Sequence, residues 1–399
     1  MTTRATPCIL QILPRLDAGG VEQGTVDMAE AIVKAGGRAL VVSGGGRLVS
    51  RLRYVGGEHI TLDLEKSFSP FSFFRRVKKV RAICRVHDVD LIHARSRYPA
   101  WIACCAARKE RIPFVTTWHG VHEARNFLKR FYNSVLVKGQ YVIAVSQHVA
   151  EKIARNYKRV EDRIRLIPRG CDPDVFNREA VSGTRVQALI ERWYIPEGSH
   201  IILMAGRLTP WKGQRFLIEA LSDMKDAMGG EWVCVFAGVE TKTDFSRELA
   251  LQAQRAGIID HLRFIGNCTD MPAAYAIADL VVVPSLKPEP FGRVAIEAQM
   301  MGCPVIGTGE GGLGETVIDC ETGILVSSGN VEALKNAIIG VLTADKANLK
   351  DVSRHAHEHA MKYFAKDRMQ EETLKVYDAV LGTGMAARFR ECLSHKEGL

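Results

Sequence analysis

The sequence predicts an α/β protein made of two doubly wound parallel sheets. Three observations carry this reading. Apolar strand-like runs alternate with amphipathic helical segments in both halves, the pattern of repeated βαβ units. At 399 residues the chain is too long for one core and suits two of ordinary size. Between the two alternations, residues 181–199 are polar, contain Pro196 and Gly198, and break the pattern. The expected domains are therefore residues 1–180 and 200–365, joined by a linker over 181–199 that contains a short helix.

In chain order, apolar residues 8–13 lead through Pro14 and Asp17-Ala18-Gly19-Gly20 into a helical pattern over 21–35. This is strand, glycine loop, helix. Gly20 lets a ligand approach the backbone, and the helix start behind it suits a phosphate or a sugar. Residues 39–43 and 59–63 read as further strands. Residues 67–87, SFSPFSFFRRVKKVRAICRVH, place Phe73, Val77, Val80 and Cys84 at helical spacing. Arg75, Arg76, Lys78, Lys79 and Arg81 fill the remaining faces, and Phe68, Phe71 and Phe74 cluster at one end. Such a helix either packs on the sheet with a solvated basic face or lies on an anionic membrane surface. Residues 90–94, 113–117 and 141–145 are buried parallel strands, with 165–168 closing the half. His119 follows the strand 113–117, and ligands of open α/β sheets gather at carboxyl ends of strands.

The second alternation starts with the strand 200–205 and the loop 206–213, GRLTPWKG. That loop holds Arg207 and Lys212 at the carboxyl end of a strand, where two cations can neutralise a diphosphate without a metal. Residues 284–302, PSLKPEPFGRVAIEAQMMG, follow the strand 280–283. They put Glu289 on a loop and Glu297 inside a helix that opens near Gly292. A helix start favours a phosphate, and carboxylates on either side of it can accept bonds from hydroxyls flanking that phosphate. Hydroxyls on both sides of a pyrophosphate describe a sugar nucleotide. Two other patterns are weaker. Residues 307–312 match G-x-G-x-x-G but come late in the second sheet, with no acidic residue at dinucleotide spacing. Asp88-Val89-Asp90 and Asp172-Pro173-Asp174 read as turns.

Composition bounds the function. A hydrophobic fraction of 47% and a charged fraction of 25% are those of a globular protein. No apolar run is long enough to span a bilayer, and residues 1–13 run straight into a strand, so neither a membrane span nor a signal peptide is expected. Ten scattered cysteines without a C-x-x-C pair suit a reducing, cytoplasmic setting and no zinc site. The net charge of +9 is uneven: residues 1–180 hold 31 Lys and Arg against 17 Asp and Glu, so the first half carries +14 and the rest −5. An anionic partner for the first half follows: membrane, phosphorylated lipid glycan or nucleic acid. For nucleic acid, no recognisable binding module is present.

Together these motifs resemble glycosyltransferase family 4, the retaining family with the GT-B fold of two Rossmann-like domains facing a central cleft. The resemblance spans residues 9–380 and is most specific at EPFGRVAIE (289–297), the E-x7-E motif. GRLTPWKG, Gly19-Gly20, Trp118-His119-Gly120, residues 167–172 and GGLGE (311–315) support it. Among family members the chain is most similar to bacterial enzymes that build lipopolysaccharide core or related surface glycans. The resemblance implies a retaining transfer of a hexose from a nucleotide diphosphate sugar, with no metal cofactor. Glu289 would hold sugar hydroxyls, Glu297 the ribose, and Arg207 and Lys212 the departing diphosphate. Backbone N–H groups near Gly292, Arg293 and Val294 would meet phosphate or sugar. Gly20 would approach the donor, His119 would line the reacting face, and Gly238 and Ile265 would border the base. Arg169 departs from the Asn of many relatives. The acceptor would be lipid-linked or a lipopolysaccharide core, met on the cytoplasmic side of the inner membrane, with the helix over 67–87 as a peripheral contact. A helix over 366–382 would return to the first domain, leaving 383–399 as a loose tail. A nucleotide-sugar binding or regulatory protein on the same fold is the alternative. GDP-mannose and UDP-linked glucose, galactose or N-acetylglucosamine all remain open as donors.

Overall fold

The computed structural model describes residues 6–397 except 18, 67–68, 123–125, 226–230 and 241–243. Ala18 of the glycine loop, and Ser67 and Phe68 of the basic stretch, lie outside the described residues. The chain forms two compact units, residues 1–170 with 366–399 and residues 171–365. Both are α/β units with parallel sheets, as the alternation predicts.

The first unit has seven strands: β1 (Cys8–Ile12), β2 (Arg38–Ser43), β3 (Glu58–Thr61), β4 (Leu91–Ala94), β5 (Phe114–Trp118), β6 (Tyr141–Ala144) and β7 (Ile164–Leu166). They pair in parallel in the order β3-β2-β1-β4-β5-β6-β7. The chain reverses its direction of winding between β1 and β4, where doubly wound sheets open a ligand crevice. Helices α1 (Gly20–Lys34), α2 (Val49–Tyr54), α3 (Pro70–Val86), α4 (Arg97–Glu110), α5 (Phe127–Asn133) and α6 (Gln147–Asn156) connect the strands.

Helix α3 begins where Ser69 Oγ accepts the Ser72 N–H (3.3 Å) and Pro70 sits at the first helical position. Its apolar stripe of Val77, Val80 and Cys84 is buried, as the spacing predicts. Two of its expected surface cations are held by carboxylates. Arg76 is buried and donates to Glu65 O (2.9 Å), Tyr98 Oη (3.0 Å) and the Asp63 carboxylate. Arg81 bonds Glu110 (2.6 Å), as does Arg85 (2.7 Å). Arg75, Lys78 and Lys79 remain exposed beside Phe71 and Phe74, which are 79% and 68% exposed.

The second unit has six strands: β8 (His200–Ala205), β9 (Trp232–Ala237), β10 (Leu262–Gly266), β11 (Leu280–Val283), β12 (Val305–Thr308) and β13 (Ile324–Val326). Their order is β10-β9-β8-β11-β12-β13, again parallel, with the reversal between β8 and β11. Helices α7 (Gly183–Arg192), α8 (Gln214–Met224), α9 (Phe245–Arg255), α10 (Met271–Ile277), α11 (Arg293–Met300), α12 (Leu313–Thr316), α13 (Val331–Leu342) and α14 (Lys346–Phe364) complete it. The expected linker contains α7, and this helix is built into the second unit. Leu189 is buried, and Arg185 makes two bonds to Asp270 (2.9 and 2.6 Å) at the start of α10.

The chain ends with α15 (Lys366–Leu381) and α16 (Met385–Glu397), both in the first unit. The expected loose tail is instead a capped and packed helix. Asp378 accepts bonds from the N–H groups of Met385 (2.8 Å) and Ala386 (2.9 Å), while Met385 and Phe389 are fully buried against α1 and its neighbours. Their four-residue spacing gives an apolar stripe that the charges between 388 and 397 obscure in the sequence. Among the described residues no helix is long and apolar enough to cross a membrane.

Helix α15 also closes a buried polar network on the sheet. His93 in β4 is fully buried, with Nδ1 on Tyr377 Oη (2.6 Å) and Nε2 on Thr117 Oγ1 (2.7 Å). Beside it, buried Arg95 donates from Nε to Gln11 Oε1 (2.8 Å), and Gln11 Nε2 donates to Thr25 O (3.0 Å). Burial, and then the Arg95 charge, hold His93 neutral with a pKa well below the ordinary value. The unfolded chain binds a proton here below about pH 6.5 that the native fold excludes. This contribution is intact above that pH and is lost as the pH falls. Urea unfolding of the wild type should lose roughly 1 kcal/mol more between pH 7.5 and 5.5 than that of His93→Asn. Equal pH dependence of the two proteins would contradict the assignment.

Candidate active site

In the second unit the loops that leave β8, β11 and β12 are stitched together. Gly206 N–H donates to Ala237 O (2.8 Å), and Leu286 N–H donates to Trp211 O (2.8 Å). Gly312 N–H donates to Glu289 O (2.7 Å), and Thr308 Oγ1 donates to Ser285 O (2.7 Å). Gly238 is needed where the first loop crosses: a Cβ there would lie 1.8 Å from Gly206 O. These bonds fix the backbone on both sides of Glu289 independently of any ligand.

Glu289 is 6% exposed, so its charge requires partners. Lys212 Nζ meets Oε1 at 2.5 Å, and Ser285 Oγ donates to the same oxygen at 2.5 Å. Oε2 accepts no protein hydrogen bond among the described residues. Lys212 itself lies over the Trp211 ring, 4.7 Å from its centre. Arg207, expected as the second cation, is exposed, and its carbonyl is held by Gln214 Nε2 (3.0 Å).

Helix α11 opens at Gly292, whose φ of 100° is strained for any residue with a side chain. A Cβ there would also meet Leu313 Cδ1 and Thr316 Oγ1 at 2.8 Å. The first N–H groups of a helix, here at Arg293 and Val294, have no intrahelical acceptor and lie at the positive end of the dipole. Glu297, 8% exposed, takes Arg293 Nε on Oε1 (2.7 Å) and Tyr275 Oη on Oε2 (2.9 Å). Burial, then the Glu297 charge, push the Tyr275 hydroxyl well above its ordinary pKa, so it stays a donor. Two salt bridges therefore organise this site, Lys212–Glu289 and Arg293–Glu297. Ile265 is half-buried at the end of β10. Sequence reasoning missed Ser285 and Tyr275. Ser285 directly follows the buried run Leu280–Val283 and Pro284, a position that carries a signal; Tyr275 reads only as core.

In the first unit Gly20 is the first residue of α1, and His119 follows β5 directly. His119 Nδ1 lies 2.7 Å from Arg169 Nη2. Its Nε2 is out of contact with solvent and has no partner among the described residues. Burial first, then the Arg169 charge, set its pKa well below the ordinary value. The polar cluster of Gln11, His93, Arg95 and Thr117 lies at the ends of β1, β4 and β5, where the sequence reading saw only buried strand. The D-x-D patterns make turn and strand-end bonds: Asp172 Oδ1 accepts Asp174 N–H (3.1 Å), and Asp90 Oδ2 accepts Cys8 N–H (2.8 Å).

Comparison with known proteins agrees with this architecture. Residues 18–175 match the model of Glycosyltransferase Family 4, and residues 186–359 match that of Glycosyl transferases group 1. A crystal structure of a glycosyltransferase from Rickettsia africae is 32% identical, with a TM-score of 0.87, covering 96% of this chain and all of that one. HepE from Anabaena, crystallised with UDP and glucose, is 24% identical with a TM-score of 0.82, covering 94% of this chain and 100% of its own; it shares the fold. A curated relative, D-inositol 3-phosphate glycosyltransferase of Salinispora tropica, is 28% identical over 326 residues, 77% of this chain and 67% of the relative. With matches over both units, the chain belongs to the group 1 glycosyltransferases of family 4 and has their GT-B fold.

Proposed function

We propose that the protein is a retaining glycosyltransferase that moves a hexose from a nucleotide diphosphate sugar to a hydroxyl of a lipid-linked or lipopolysaccharide-core acceptor. The observation that carries this reading is Glu289 itself. One of its oxygens is committed to Lys212 and Ser285, and the other accepts nothing among the described residues, beside the opening turn of α11. Oε2 would accept bonds from sugar hydroxyls. The N–H groups after Gly292 would receive phosphate oxygens, and Lys212 and Arg207 would oppose the charge that grows on the leaving diphosphate. Glu297 would accept from the ribose, Gly238 and Ile265 would border the base, and Gly20 and His119 would contribute from the first unit. The bond from the anomeric carbon to the β-phosphate oxygen breaks as the acceptor oxygen bonds that carbon on the same face. The acceptor proton passes to the leaving phosphate. Two cations supply the charge compensation, so the reading assigns no metal.

For the acceptor, exposed Phe71 and Phe74 beside Arg75, Lys78 and Lys79 on α3 favour a lipid-borne substrate at an anionic membrane face, peripheral to the cytoplasmic side of the inner membrane. The second reading is a soluble phosphorylated cyclitol, favoured by the activity named for the Salinispora relative.

Incubation with UDP- and GDP-hexoses and an acceptor should release nucleoside diphosphate and give a product with the donor's anomeric configuration, read by proton NMR. Glu289→Ala, Lys212→Ala and Arg207→Ala should each lower turnover, by about 100-fold or more for Glu289, while circular dichroism stays unchanged. Wild-type turnover in all three would refute the site, and donor binding without release would favour the regulatory alternative. Anionic vesicles should sediment the wild type and leave behind a variant carrying Phe71→Ser, Phe74→Ser, Arg75→Gln, Lys78→Gln and Lys79→Gln. Equal sedimentation would exclude α3 as the contact and favour the soluble acceptor.

A further inference from the structure

His119 holds a definite protonation state because of what stands on its Nδ1 side. A guanidinium has five N–H donors and no acceptor. The 2.7 Å contact from Arg169 Nη2 to His119 Nδ1 therefore requires a lone pair on Nδ1. The neutral ring then carries its hydrogen on Nε2. That Nε2–H is buried and has no acceptor among the described residues. Leaving a buried donor unmade forfeits its hydration without return, which a fold tolerates where a ligand completes the bond.

We propose that Arg169 is a positioning residue that fixes His119 as the Nε2–H tautomer, aimed as a hydrogen-bond donor at an oxygen of a bound carbohydrate. The tautomer rests on geometry alone; the carbohydrate oxygen rests on the glycosyl-transfer reading above. Both ends of the arrangement are anchored. His119 leaves buried β5, and Gly170 N–H, next to Arg169, donates to Met369 Sδ of α15 (3.3 Å). The titratable and charged groups that act on His119 are Arg169, Arg95, His93 and His122. All are cations or neutral rings: His122 is itself depressed to about 4 by burial and then Arg97. None of them stabilises an imidazolium, so the ring stays a neutral donor across the working range of pH.

The test uses full-length protein labelled with 15N-histidine, with the His119 signals assigned through His119→Gln. In the wild type, Nε2 should resonate as a protonated nitrogen and Nδ1 as an unprotonated one, unchanged from pH 7.5 to 5.5. Arg169→Met should give mixed tautomers at pH 7.5. Arg169→Lys, whose ammonium like the guanidinium only donates, should restore the Nε2–H tautomer at pH 7.5. In turnover, Arg169→Met should lose about tenfold in kcat at pH 8 with little change in KM, and Arg169→Lys should recover most of it. The wild-type tautomer in Arg169→Met would overturn the proposal. The expected spectra in a protein that transfers no sugar would uphold the tautomer and refute the transfer reading.

Discussion

The second unit depends on a carboxylate that the fold buries and must then satisfy. Glu289 is removed from water at the carboxyl ends of three strands, and an unpaired charge there would cost several kcal/mol. Lys212 and Ser285 meet one of its oxygens, and they reach it only because three loops share backbone bonds. The same arrangement that makes Glu289 tolerable commits one oxygen to Lys212 and Ser285 and leaves the second without a donor among the described residues.

The first unit solves a similar problem with a helix from the far end of the chain. His93, Arg95 and Gln11 put polar groups inside a parallel sheet, where each needs a partner. Tyr377 of α15 supplies one of them, and α16 buries Met385 and Phe389 behind it. The C-terminal segment is therefore part of the first unit's core, although it follows the whole second unit in sequence.

Much of this was legible in the residues. The alternation of strands and helices gives both sheets, because a parallel strand buried on two faces reads as an unbroken apolar run. The helix start at Gly292 and the loop carrying Lys212 follow from glycine placement and strand ends. What the sequence does not carry is which cation meets which acid. Lys212 and Arg207 sit five residues apart in one loop, and only the path of the chain decides that Lys212 reaches Glu289, whereas Arg293 and Glu297 pair at i,i+4 spacing on one helix. Ser285 and Tyr275 are ordinary residue types: Ser285 meets Glu289 across an irregular loop, and Tyr275 meets Glu297, 22 residues away in sequence. The stripe of α16 was hidden by its charges, and α7 by its place between the two alternations.

The central claim is that the second unit divides its donor, with Lys212 for the diphosphate and Glu289 for the sugar. Titration calorimetry tests it with UDP and GDP alone and with their hexose conjugates. Lys212→Met should weaken the preferred nucleoside diphosphate tenfold or more, about 1.4 kcal/mol. Glu289→Gln should leave that affinity within about twofold and weaken the conjugate by the larger factor, since one hydrogen bond to a charged group is worth about 1.5–3 kcal/mol. Unchanged affinities in both variants, or equal losses for diphosphate and conjugate in Glu289→Gln, would contradict the account.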